Sequence, residues 1–284
     1  MSSRCLRSLV TSRDWQADRR AVFDRDDHTC RHCGAVGDAA DPTDLRVHPV
    51  GAIPIEGTIH ESTLVTVCTD CFASLSSSPS GDRSSASLEP LTSRETLFDH
   101  VRETTRTQGG AITDAASFAS LATSLPTTLA EAETAGEPAA DDTGAEYRRL
   151  RQDVLLAIDI ADAQLERLAT IDESAFDADV RSSVEAFSAS ATDLQSTLRT
   201  VVERSETVVA GLERCHGCFD ALEGERCSTC RLESRETADW ERESGEVALD
   251  RLFSAINDEL QDASATTEAL TDRATALAAQ LSDG

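Results

Sequence analysis

The sequence predicts a two-part fold. A small α+β N-terminal domain holds a cysteine cluster, and a mainly α C-terminal helical bundle follows, cored by an antiparallel coiled-coil hairpin. Three observations predict it. Eight of the nine cysteines fall into four C-x-x-C pairs, two early and two late in the chain. Two long stretches, Val180–Leu212 and Leu249–Leu281, carry apolar residues at alternating steps of four and three. Between the early cysteines and these stretches the composition turns rich in Ser, Thr, Ala, Gly and Pro.

Residues 1–75 hold the pairs Cys30/Cys33 and Cys68/Cys71. Two cysteines separated by two residues place both thiolates on one tight turn. Two such turns complete a tetrahedral site at about 2.3 Å per Zn–S bond. The later pairs, Cys215/Cys218 and Cys227/Cys230, repeat the arrangement within "CHGCFDALEGERCSTC". Four pairs therefore predict two structural zinc ions, and Cys5 is left over. His216 lies between ligands and reads as a bystander.

Residues 76–144 read as a flexible connector with two short helices. One is expected near "SRETLFDHVRETT", capped by Ser93, with Leu97, Phe98 and Val101 on one face. The other is expected near "TDAASFASLAT". Residues 145–284 form the helical bundle. Tyr147, Leu150, Val154, Ile158, Ala161, Leu165 and Leu168 step by three and four. The two longer seams have a 3.5-residue period, which is the mark of a coiled coil. Folded back on each other they pair Leu212 with Leu249, Ser205 with Ile256, Leu198 with Ala263 and Val180 with Leu281. This register puts the late cysteines, as a zinc knuckle over 213–232, at the tip of the hairpin. The Tyr147–Leu168 helix is the expected third member.

The segment "WQADRRAVFDRDDHTCRHCG", residues 15–34, together with "DLRVHPVGAIPIEGTIHESTLVTVCTDC", resembles the HNH endonuclease family over about 60 residues. The resemblance rests on Arg25-Asp26, the two early C-x-x-C pairs and Leu64-Val65-Thr66-Val67-Cys68. It implies a ββα-metal fold, in which a β-hairpin and a helix cradle one divalent ion. There a histidine activates water against a phosphodiester while the metal stabilises developing charge. Carried over residue by residue, the catalytic pattern departs from the family. His48 takes the first position of the family's His-His pair, and Pro49 stands where the general base belongs. Thr63 replaces an asparagine, and Phe72 replaces the helix histidine that completes the metal site. A proline ring cannot accept a proton, and phenylalanine cannot ligate a metal. His48 and His60 remain the candidate catalytic residues. The expectation is an HNH-like protein with a degenerate catalytic centre and no secure catalytic divalent metal. Phe72 is expected to fill apolar space. The alternative is a non-catalytic scaffold or oligomerisation protein built on the zinc-tipped hairpin.

The formal net charge is −26, and all 26 basic residues are arginine. A dense carboxylate surface of this kind resembles proteins of salt-loving archaea, where it maintains solubility. It argues against broad wrapping of DNA, because phosphate binding draws on cationic side chains. The N-terminal end is mildly basic, so DNA contact is expected there, through Arg19, Arg20, Arg25 and Arg31. A protein partner or self-association is expected at the helical hairpin. No run of about 20 apolar residues is present. A cytoplasmic protein with reduced thiols and no membrane association is expected.

Overall fold

The computed structural model describes residues 15–39, 43–52, 59–76, 91–135 and 140–282. Cys5 lies outside them. The described chain is mostly helical, with one two-stranded sheet. Helix α1 (Trp15–Arg25) precedes β1 (Leu45–Pro49), β2 (Leu64–Cys68) and the short α2 (Thr69–Ser76). Four long helices follow: α3 (Arg94–Ala135), α4 (Ala140–Leu168), α5 (Ala178–Gly211) and α6 (Leu249–Ser282).

The strands are antiparallel, with Leu45 opposite Cys68 and Pro49 opposite Leu64. Proline has no N–H to give to a ladder, and here it stands at the strand's end. Leu45, Leu64, Val65 and Val67 are buried. α1 lies against this sheet through Val22, which shares a small apolar cluster with Ile59 and Leu64.

The hairpin of α5 and α6 follows the seams. Every seam position from Val180 to Val208 is buried, and Ile256, Ala263, Leu270, Leu277 and Leu281 are buried opposite. Arg204 donates to Ala255 O at 2.7 Å and pairs with Glu259 at 3.0 Å. Far along the arms Arg273 donates to Ala186 O. These bonds fix the two helices as antiparallel in the predicted register. Each helix has 34 residues, about 50 Å at 1.5 Å per residue. Asp177 caps α5, accepting from Val180 N–H at 2.9 Å.

The connector differs from expectation. In place of two short helices, residues 94–135 form one helix of 42 residues. Ser93 does cap it, accepting from Thr96 N–H at 3.2 Å. This helix is a full member of the bundle and packs on α4, α5 and α6. Its buried positions include Leu97, Val101, Thr104, Gln108, Ala111, Ala115, Phe118, Ala122 and Leu125. They repeat the four-three alternation of the other seams, but five of the nine, Thr104, Gln108, Ala111, Ala115 and Ala122, are small or polar. The bundle therefore has four long helices rather than three. Gln195 donates to Gln108 Oε1 at 2.7 Å across α5 and α3, a buried polar layer of the kind that fixes register.

α4 is the shared element. Tyr147, Val154, Ile158 and Leu168 face the bundle core. Leu156 and Ile160 face the other way and form a second apolar cluster with Val50, Val65, Val67 and Phe72. Gln152 Nε2 donates to Ser62 O at 2.9 Å, and Arg31 pairs with Asp153. The sheet and α2 are thus bonded to the outer face of α4.

Candidate metal centres

The cysteines assemble as the spacing predicts. Cys30, Cys33, Cys68 and Cys71 form one group and Cys215, Cys218, Cys227 and Cys230 another, with the four sulfurs of each group within 4.8 Å of one another. Among the described residues no other group of three or more His, Cys, Asp or Glu converges in this way.

Three of the four C-x-x-C pairs adopt the same turn. In the first, Cys30 N–H donates to Ala35 O at 2.8 Å and Gly34 N–H to Cys30 O at 2.9 Å. In the second, Cys215 N–H donates to Asp220 O and Phe219 N–H to Cys215 O, both at 2.8 Å. In the third, Cys227 N–H donates to Leu232 O at 2.9 Å and Arg231 N–H to Cys227 O at 3.1 Å. Each turn places the residue after its second cysteine in the left-handed region: Gly34 at φ 74°, Phe219 at 71° and Arg231 at 64°. That conformation costs non-glycine residues about 1 kcal/mol, so the closed turn has to hold it. The fourth pair is built differently. Cys68 ends β2, Cys71 lies in the first turn of α2, and Cys71 N–H points at Cys68 Sγ at 3.5 Å.

The sulfur geometry fits a tetrahedral ion. Four ligands at about 2.3 Å stand roughly 3.8 Å apart. Cys33 and Cys68 Sγ are 3.7 Å apart, Cys218 and Cys227 3.5 Å, and Cys215 and Cys230 3.3 Å. A disulfide would require about 2.05 Å. With no cation among them, the late sulfurs share protons instead of all ionising. Hydrogen bonds from the Cys218 and Cys230 thiols hold Cys215 down as a thiolate, while Cys230 is pushed up to about 12 by its bond to Cys215. Four thiolates crowd together only when a cation shares their charge. Each quartet could hold one metal ion.

The settings of the two quartets differ. All four late cysteines are buried. Tyr147 donates its hydroxyl to His216 O at 2.8 Å, and Arg148 donates to Cys218 O at 3.0 Å, so both bind the knuckle to α4. The Phe219 ring packs tilted against Tyr147, with centroids 5.0 Å apart. Gly217 leaves no room for a side chain, since a Cβ there would stand 2.4 Å from Leu232 Cδ1. Behind the knuckle Arg151 and Glu206 form a wholly buried ion pair at 2.7 Å, and Arg235 holds the other carboxylate oxygen. Burial works to raise the Glu206 carboxyl, but Arg151, His216 and Arg235 outweigh it and hold it below the usual range. In the early quartet only Cys30 is buried, and Cys33 is exposed.

The two candidate catalytic residues have separate partners. His48 Nε2 stands 3.3 Å from Asp159 Oδ2 of α4. His60 Nδ1 accepts from Ser62 N–H at 3.2 Å, which caps the turn before β2. Thr63 is buried and donates its hydroxyl to His60 O at 2.9 Å. Phe72 packs into the apolar cluster against α4.

The four arginines expected on phosphate have separate fates. Arg25 forks onto Asp26 at 2.9 Å through two nitrogens and also reaches Glu61 O and Leu64 O. Arg31 pairs with Asp26 and Asp153. Arg19 donates to Leu45 O at 3.2 Å and lies over the Phe23 ring. Arg20 is exposed. The Arg25-Asp26 motif is thus a structural buckle. Asp26, 6% exposed, accepts from Thr66 N–H of β2 at 2.9 Å. Burial works to raise its carboxyl, and the arginines and Thr66 hold it low instead. Arg151, Glu206 and Asp153 escaped the sequence reading because each partner lies far away in the chain.

No protein-family model, curated protein or solved structure matched this chain. No helix among the described residues is long and apolar enough to cross a membrane.

Proposed function

We propose that this chain is a two-zinc, HNH-like protein that associates with nucleic acid and has lost phosphodiester hydrolysis. Zinc is the ion that four thiolates in a closed tetrahedral site suit best under reducing, cytoplasmic conditions. The strand pair followed by α2, with its knuckle, stands for the family's zinc-held frame. One observation supports the loss of hydrolysis: the residues at the positions where the resemblance implies metal ligands are engaged in packing and pairing against α4. Phe72 lies in the apolar cluster with Leu156 and Ile160, and His48 is engaged by Asp159. Pro49 offers no base. Nucleic-acid contact falls to α1, where Arg20 is exposed beside Arg19.

Plasmid nicking in molar KCl with Mg²⁺, Mn²⁺ or Zn²⁺ tests the reading. The expected result is no cleavage above the metal-free control. Metal-dependent nicking that disappears in His48→Ala overturns it. Metal analysis of reduced, folded protein should return two zinc ions per chain.

The scaffold reading has its own support. Arg25 and Arg31 spend their guanidinium groups inside the protein, and among the described residues the sheet and α2 are fastened to the bundle through α4. Duplex DNA affinity of the full chain, compared with Arg20→Ala, separates the two. Absence of affinity at every salt concentration selects the scaffold, and sedimentation then measures self-association.

A further inference from the structure

A cleft of about 510 Å³ opens between the first knuckle, α3 and α4, and Arg31, Arg106, Arg149, Gly110, Asp114 and Asp153 are among its lining residues. Its volume lies in the range of small-molecule sites. In a chain with twice as many acidic as basic residues, a cavity lined by three guanidiniums against two carboxylates stands out as locally basic. We propose that this cleft binds a small phosphate-bearing molecule of nucleotide size.

The arginines come from three elements and are held in place by carboxylates beside them. Asp153 pairs with Arg31 through one oxygen and with Arg149, at 3.6 Å, through the other. Glu103 braces Arg106 from the same helix, with bonds of 2.7 and 3.1 Å. Asp153 therefore acts as a strut for two cations. Arg149 and Arg106 keep much of their surface, with side chains 57% and 77% exposed. The loose pair of Arg149 leaves its donors available, and a planar guanidinium fork suits phosphate oxygens.

Gly110 supplies a second, independent observation. It lies inside α3, where glycine costs about 1 kcal/mol relative to alanine. A Cβ added there would meet nothing within 4 Å. The packing of this chain therefore does not demand a glycine. The residue leaves bare backbone on the cleft wall, and with it room for an occupant. A phosphate group fits the donors better than a carboxylate does, because a tetrahedral oxyanion offers oxygens to Arg106 on α3 and Arg149 on α4 at once, while Arg31 stays held by Asp26 and Asp153.

Calorimetric titration of the full, metal-loaded chain with pyrophosphate and with adenosine monophosphate tests the proposal. Saturable binding at one site is expected, weakening as KCl rises. Arg149→Ala and Arg106→Ala should each raise Kd about tenfold. Gly110→Leu favours the helix and fills the space, so it should abolish binding without lowering the melting temperature. Arg149→Ala changes an exposed side chain and keeps the test sound should Gly110→Leu perturb the fold. Failure of both probes to bind overturns the proposal, as does binding that all three variants leave unchanged. Binding confined to a single-stranded oligonucleotide and indifferent to Gly110→Leu also overturns it. Neither DNA affinity at α1 nor the nicking result enters this outcome.

Discussion

The two cysteine quartets offer the same four sulfurs to an ion in opposite surroundings. The late quartet is sealed. Its two knuckles follow each other closely, all its cysteines are buried, and a buried Arg151–Glu206 pair, backed by the half-buried Arg235, stands behind it. The early quartet is half open. It joins one knuckle to a strand end and a helix start, and it exposes Cys33. The difference teaches that ligand spacing specifies a metal site but leaves its role open. The late site closes the turn between two long helices and is held by Tyr147 and Arg148 of a third. The early site gathers the small sheet and its flanking turn, which then dock sideways on α4.

The sharpest way to break this comparison is to remove one ligand from each site. Cys227→Ser should release one metal and lower stability by about 5 kcal/mol or more, because the hairpin turn and the anchors of α4 depend on the closed knuckle. Cys33→Ser also releases one metal, but its loss should stay near 2 kcal/mol, with the bundle intact. Metal content and chemical denaturation of both variants give the answer. Equal losses would mean that the two sites share one role. The next largest effect concerns the charges behind the late site. Arg151→Ala leaves Glu206 buried against Arg235 alone and should cost about 3–5 kcal/mol. Arg31→Ala, which removes the corresponding partner of Asp26 near the early site, should cost about 1–2 kcal/mol, since Arg25 still holds that carboxylate.

The four-three alternation on Val180–Leu212 and Leu249–Leu281 was legible because bulky apolar residues fill it. The same alternation runs through α3 and was missed. Thr104, Gln108, Ala111, Ala115 and Ala122 occupy its buried positions, and Gly109, Gly110 and Pro126 interrupt its helical appearance. A period is visible in sequence only when hydrophobicity marks it, whereas burial here is granted by neighbouring helices. Both quartets were legible because the cysteine pairs carry their geometry locally. The arginines were harder to read. Arg31 and Asp153 are separated by 122 positions, so charge was visible and its partner was not. The sequence reading also marked Phe72 as a space-filler, and Phe72 packs in the cluster with Leu156 and Ile160.

A smaller effect separates the sites by crowding. Gly217→Ala would drive a methyl group into Leu232 inside the late site and should cost about 1–3 kcal/mol. Gly34→Ala meets no atom within 4 Å in the early site, so its cost comes from the positive φ alone, about 1 kcal/mol. Thermal melting of the two variants under identical metal loading ranks them.

The smallest effect is a pH dependence confined to the early side of the molecule. Burial, aided by Asp153, pushes the Asp114 carboxyl up to about 6, with Arg149 and Arg31 opposing. Its folded value thus lies above its unfolded one. The proton is held more tightly in the folded state, and the stability this brings is complete below the ordinary carboxylate value and is lost as pH rises through about 6. Asp114→Asn removes the charge that forms above that pH. The variant should be the more stable form above pH 6 by roughly 1 kcal/mol, reduced for partial exposure, and the advantage should vanish on acidification. Denaturation at a series of pH values measures it. The same substitution should leave the late site's chelator resistance unchanged, because Asp114 lines the cleft beside the first knuckle and has no part in the second. An advantage that persisted at low pH would trace the effect to packing rather than charge.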